Sequence, residues 1–262
     1  MSEQNPYTPP RALVGGSGGG GPWELAQPRR LPGGHGWGWI REGFALFGRS
    51  PGLWIVIYLL FGLISTVLSM LPLVSIGTYV LSPIFIGGLM LGCRRLDEGD
   101  RLEVADLFAG FTANGGKLAG VGGLFLGGLL LIGAAVMMIV LPTAVLPALE
   151  QMGHGPPPPF AIMGVLIAVS VSLLLLVPLL MAVWLAPALV VFHDVDIMDS
   201  LTQSFKASAR NAWPLTVYGL AMLALTFLGA LPLLLGLLVI GPLTFTSTYA
   251  AYKDIFVDAS GE

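Results

Sequence analysis

The stretch HDVDIMDSLTQSFKASARNAWP, residues 193–214, decides how the rest of the chain is read. Set on a helix, Ile197, Leu201, Phe205 and Ala212 fall on one side, while Asp199, Gln203, Lys206 and Arg210 line the other. Asp196, or Asp194 before it, is placed to cap the N-terminus. Lys206 and Arg210 occupy the last turns, where positive charge suits the helix dipole. Trp213 and Pro214 then open a long apolar run. The pattern predicts an amphipathic helix at a membrane surface that feeds a spanning helix.

Two weaker copies stand upstream, each in front of a pair of apolar segments. In the first, Trp37, Ile40, Phe44 and Phe47 recur at helical spacing with Arg41, Glu42 and Arg49 off that face. In the second, Val104, Leu107, Phe108 and Phe111 share a face, and Glu103 and Asp106 point away.

Composition agrees with a membrane setting. Of 262 residues, 55% are hydrophobic and 10% charged, at a mean hydropathy of +0.84; soluble domains carry roughly 25% charged residues. The single cysteine, Cys93, excludes an internal disulfide. No cleavable signal peptide is visible, because the first long apolar run begins near Leu53, behind a polar leader.

Residues 1–36, rich in Gly and Pro, cannot offset the entropy of ordering and read as a disordered tail. Residues 37–256 read as a six-helix transmembrane domain, and 257–262 as a short second tail. The expected spans are 53–71, 73–92, 118–140, 161–192, 213–231 and 233 to about 252, each near or above the roughly 20 residues a bilayer core requires. Residues 161–192 are too long for one straight crossing, so a kink is expected at Pro178. GHGPPPPF, residues 153–160, reads as a polyproline-type loop.

All twelve Lys and Arg residues fall in the tails and the two even-numbered connections, and the three hairpin turns have none. The positive-inside rule therefore predicts both termini and all three amphipathic helices in the cytoplasm. Tyr58 matches Tyr218, Leu71-Pro72-Leu73 matches Leu231-Pro232-Leu233, and Gly88 and Gly92 match Ser247 and Ala251. With an even number of spans per unit, this is a threefold parallel repeat. The fold class predicted is all-α, a polytopic membrane bundle.

No Asp, Glu, Lys, Arg or His lies inside the six apolar cores, which disfavours a proton-coupled pump or a channel with a charged filter. Gly116, Gly120, Gly123 and Gly127 form a stripe expected, with Gly88 and Gly92, to let helices pack closely. Trp37, Phe44, Phe47, Phe111, Phe205 and Trp213 are the expected interfacial anchors. Arg41, Arg94, Arg95 and Arg210 are candidate contacts for lipid headgroups. His193, Asp194 and Asp196 are metal-ligand types close together, but a catalytic zinc needs three converging ligands and no second His is predicted nearby. Cys93 beside Arg94 and Arg95 lacks a His or Asp partner for a nucleophile role.

From Leu185 to Gly219 the chain resembles a pattern in bacterial six-span inner-membrane proteins, loosely related to the YciC-like family and to the membrane domain fused to some glycerophosphodiester phosphodiesterases. Ala186-Pro187-Ala188, Asp194, Ser200, Ser204-Phe205 and Arg210-Asn211 carry it. The resemblance implies a helical inner-membrane protein and supplies no reaction or catalytic residue. The function expected is non-catalytic, with no cofactor, metal or nucleic acid: a protein that organises or binds membrane lipids or partner proteins, including further copies of itself. A facilitator for a lipid or weakly polar solute is the alternative, requiring a cavity lined by Thr78, Ser82, Thr244 and Ser247. A membrane-embedded enzyme stands third.

Overall fold

Proline marks where several helices start, since its missing N–H falls among donors that the first turn leaves unpaired anyway. The structure, a computed structural model, describes residues 25–70, 72–150 and 159–257. Among these, the helices are α1 (His35–Gly48), α2 (Pro51–Ser69), α3 (Pro72–Asp97), α4 (Ala109–Val140), α5 (Leu146–Glu150), α6 (Pro159–Trp184), α7 (Ala186–His193), α8 (Ile197–Arg210), α9 (Ala212–Ala230) and α10 (Leu237–Phe256). A 3-10 turn, Val104–Phe108, precedes α4, and a π turn, Leu141–Val145, follows it. Most of the polyproline-type loop lies outside the described residues.

Among the described residues, five stretches are long and apolar enough to cross a membrane: Pro51–Ser69, Ile76–Asp97, Val104–Val145, Phe160–His193 and Ala212–Ala230. Six were expected. The helix that falls short is α10, which begins later than predicted and carries Thr, Ser and Tyr hydroxyls with Lys253 and Asp254 near its end. Its surroundings explain the composition. It packs against α1, α2, α3 and α9, and from Thr246 to Tyr252 every residue is buried, so its neighbours are protein rather than lipid.

The long fourth segment runs through Pro178 as helix and breaks at Leu185, just before Ala186-Pro187. The interruption thus falls about two turns beyond Pro178, where the kink was expected. Pro187 lacks the N–H that would continue the ladder, and a side chain from α8 occupies the opening, as described below.

Three corners share a geometry. Ser50, Asn114 and Asn211 each leave the helical region, with φ/ψ of −152/60°, −146/41° and −110/28°, and each introduces a spanning segment. Six positions before them stand Phe44, Phe108 and Phe205, exposed by 39, 42 and 39%. The helix or turn before each corner packs on a different span: α1 on α10, Val104–Phe108 on α3, and α8 on α6 and α7.

Glycine makes these seams close. A methyl group on Gly43 would meet the backbone of Ser247, and one on Gly110 would meet the Ile84 carbonyl. Gly88 faces the carbonyls of Asp106 and Leu107, and Gly92 faces Leu102. Small residues at such crossings let backbones approach where lipid gives no hydrophobic drive to association. Of the predicted stripe, Gly120 meets Ile197, whereas Gly116, Gly123 and Gly127 face open space; Gly122, on the neighbouring face, carries the contact with α3. Glycines recur on several faces of α4, so their spacing alone does not single out the face that meets α3.

Candidate functional site

The charged end of the bundle is built around Asn211, a fully buried corner residue. Its Nδ2 donates to the Arg29 carbonyl at 2.8 Å and to the Ala207 carbonyl at 2.9 Å, while its Oδ1 accepts from the Leu31 N–H at 2.8 Å. That pins an extended strap, residues 25–34, across the ends of α8 and α10. The strap's Ala26 N–H donates to the Phe256 carbonyl at 2.8 Å, and Arg29 Nη2 donates to the Asp254 carbonyl at 2.6 Å. Residues 25–36 were expected to belong to a tail; these bonds and the onset of α1 at His35 order them instead.

Carboxylates at this end are held by named donors. Asp254 accepts from His35 Nδ1 at 2.7 Å and Trp39 Nε1 at 2.8 Å. Asp97 accepts from Lys253 Nζ at 2.6 Å and the Tyr249 hydroxyl at 3.2 Å. Asp106 is only 3% exposed, against the expectation that it faces away, and takes Arg95 Nη1 at 2.7 Å. Lys117 pairs with Asp194 at 2.8 Å and Asp196 at 3.0 Å. Asp196 stands at the N-cap position of α8, yet no side-chain cap bond forms there.

Glu42 lies beside this cluster. Its pKa is raised above the ordinary 4.5, first by burial and then by the neighbouring Asp254 carboxylate, with Asp97 adding to the rise and Lys253 and His35 opposing it.

Two of the four candidate headgroup arginines are engaged inside the protein. Arg95 bridges Asp106 and Glu103, and Arg94 donates to Glu98 at 2.8 Å and lies over the Phe192 ring. Arg41 and Arg210 are exposed, and Arg210 makes a single 3.2 Å bond to the Pro28 carbonyl. Among the anchors, Trp37, Phe44, Phe111, Phe205 and Trp213 are exposed. Phe47 is buried at 8%, because α1 turns Trp39, Ile40, Gly43, Leu46 and Phe47 to the protein.

The helix α8 carries three stripes rather than two. Ser200, Ser204, Ala207 and Ser208 are buried. Met198 and Phe205 are exposed on a second side, and Lys206 and Arg210 on a third. Ser204 Oγ accepts from the Leu185 N–H at 3.0 Å and donates to the Met181 carbonyl at 2.8 Å; Ser208 Oγ reaches the same carbonyl at 3.2 Å. The hydroxyl therefore replaces the ladder bond lost at the break.

Of the hydroxyls proposed to line a polar path, Thr244 donates to the Ile240 carbonyl at 3.0 Å and Ser247 to the Leu243 carbonyl at 2.6 Å, within their own helix, whereas the buried Thr78 hydroxyl has no partner among the described residues. Cys93 is fully buried. His193 shares a hydrogen bond with the Tyr252 hydroxyl, while its neighbour Asp194 turns to Lys117. Among the described residues no three His, Cys, Asp or Glu side chains converge as a metal site would need.

Three hollows adjoin one another along α8, and the sequence did not reveal them, because they join elements far apart in the chain. One of about 410 Å³ lies between the strap and Gln203, Lys206 and Arg210. A second, about 630 Å³, is bordered by Arg30, Arg210, Ala212 and Trp213. A third, about 600 Å³, lies among spanning residues such as Phe125, Leu180, Trp184, Leu215 and Gly219, and shares Ala212 with the second. Its lining is chiefly apolar, with Ser208, Thr216 and Tyr218 as polar members. None of the three is lined by Thr78, Ser82, Thr244 or Ser247.

No family model matches the chain, and no solved structure matches it. Over 251 residues it is 27% identical to a probable inner membrane protein of Burkholderia thailandensis, an alignment that covers 84% of this chain and 90% of that protein. This similarity accords with an inner-membrane protein and does not extend to the YciC-like or phosphodiesterase-linked families. With five stretches of membrane-spanning length and composition among the described residues, it makes this chain an integral membrane protein similar to that relative.

Proposed function

We propose that the chain is a non-catalytic protein of the bacterial inner membrane, with six spans and both termini in the cytoplasm, that holds lipids or partner proteins through a collar of three interfacial segments. The sixth span is α10, whose polar side chains suit a helix enclosed by others. A threefold parallel repeat is supported by the three matching corners, and by each corner segment resting on the last span of the preceding unit, with α1 closing the ring onto α10.

The observation that carries the functional reading is the outward face of the collar. Trp37, Arg41 and Phe44 lie exposed together on α1, and Phe205, Lys206, Arg210 and Trp213 lie exposed at the end of α8. Aromatic rings beside basic groups suit the boundary between acyl chains and anionic headgroups. A facilitator for a lipid or weakly polar solute is the second reading, favoured by the third hollow.

Native mass spectrometry of the full chain, released from nanodiscs made with its own membrane lipids, tests the proposal. Co-released lipid, a partner protein or a stable oligomer is expected. A bare monomer under conditions that retain lipids on other membrane proteins would overturn it. Uptake by proteoliposomes of a solute that co-elutes with a monomer would favour the facilitator instead.

A further inference from the structure

We infer that the adjoining hollows along α8 form one site for a single anionic phospholipid, its phosphate held by Arg30, Lys206 and Arg210 and one acyl chain lying between α6 and α9. The inference rests on the lipid-binding reading above and specifies its ligand and place.

Three observations converge. The first two hollows share Arg210, and the second and third share Ala212, so a cationic rim continues into an apolar space. Among the described residues, Arg30 and Lys206 have no hydrogen bond or ion pair, and Arg210 has only the Pro28 carbonyl. By contrast, Arg95, Lys117 and Lys253 are each matched to carboxylates, and Arg41, which is exposed on α1, borders none of the three hollows. No acidic residue lines any of the three hollows. A rim with surplus positive charge calls for an anion, and the apolar hollow beneath it, of about 600 Å³, falls in the roughly 300–1,000 Å³ range of small-molecule sites.

Apart from Ser208 of α8, the residues that line the third hollow belong to spanning segments, where the surrounding medium is acyl chain. Trp213 stands at the junction, exposed, with its indole against Gly33 of the strap. An amphiphile with a phosphate at one end and hydrocarbon at the other satisfies both halves. Free phosphate would leave the lower half empty, and a neutral solute would leave the rim unmatched.

The test uses the full chain in nanodiscs of equal phosphatidylglycerol and phosphatidylethanolamine, with retained lipid counted by native mass spectrometry. One phosphatidylglycerol per chain is expected. Arg30→Gln and Arg210→Gln should each lower its retention about fivefold, the worth of one basic residue near a headgroup. Gly219 lines the hollow and an added Cβ there meets nothing within 4 Å, so Gly219→Leu enters free space and should also lower retention, with an unchanged thermal unfolding midpoint as the check on folding. Equal retention of phosphatidylethanolamine would overturn the anionic assignment. Loss in the arginine variants alone, or displacement by millimolar inorganic phosphate, would reduce the site to a surface anion patch. Loss in Gly219→Leu alone would indicate a neutral apolar ligand. Absence of bound lipid alongside a stable oligomer would sink this inference while sparing the wider collar reading.

Discussion

Ser204 donates to the Met181 carbonyl at 2.8 Å across the break between α6 and α7, and the same oxygen accepts from the Leu185 N–H. One hydroxyl on α8 thus closes the ladder of another helix. Ser204→Ala leaves a buried donor without a partner and removes one of the carbonyl's two, at a cost of roughly 1–3 kcal/mol. Thermal unfolding in detergent should show a lower midpoint for Ser204→Ala than for Thr202→Ala, whose hydroxyl bonds only its own helix.

Gly110 and Gly116 lie within the same helix and should respond oppositely to alanine. At Gly110 the new methyl group would strike the Ile84 carbonyl, a rigid backbone atom, and overpacking of that kind costs roughly 1–3 kcal/mol. At Gly116 it enters open space and gains about 0.5–1 kcal/mol of helix preference. Comparing the two midpoints checks the seam, and equal effects would show that α3 and α4 do not meet there.

Arg95 and Arg41 were equal candidates in the sequence and differ in the structure. Arg95→Gln strands the buried carboxylate of Asp106, whereas Arg41 has no such partner among the described residues. Breaking a fully buried pair costs roughly 3–5 kcal/mol, and the part of Arg95 that remains in water lowers that figure. Arg95→Gln should therefore lower folded yield well below that of Arg41→Gln. Asp106→Asn combined with Arg95→Gln should recover part of the loss.

The raised pKa of Glu42 gives a pH dependence with a defined sign. A carboxyl that holds its proton more tightly when folded adds stability below its ordinary 4.5, and that contribution is lost as pH rises through the folded value. Glu42→Gln should accordingly raise the unfolding midpoint at pH 7.5, with the gain vanishing below pH 4.5. A gain of the same size at both pH values would mean that the charge facing Asp254 and Asp97 is not its source.

Hydropathy made five of the spans readable, because lipid-facing helices must be apolar whatever they touch on their other side. Its signal is weaker at α10, where protein replaces lipid and hydroxyls become tolerable. Helical spacing located α8 but not which face it buries: the serines pack inward, Phe205 stays out, and nothing in the spacing ranks a small polar side chain above a large apolar one. Charge counting found Arg210 as an exposed group and equally proposed Arg95, since the partner that removes Arg95 from the surface, Asp106, is identified only once the two are brought together. Arg30 went unnoticed because the strap holding it beside α8 depends on Asn211, far along the chain.

The seam between α1 and α10 joins the first and the last of the described helices. Chains are made from the N-terminus at about 5–20 residues per second, so Gly43 waits for Ser247, and Trp39 for Asp254, while the roughly 200 residues between them are made. Until then α1 carries an unfilled glycine notch and an indole without its acceptor. Ring closure thus comes late in synthesis, and a ribosome stalled before α10 would leave a species with α1 open to quality-control proteases.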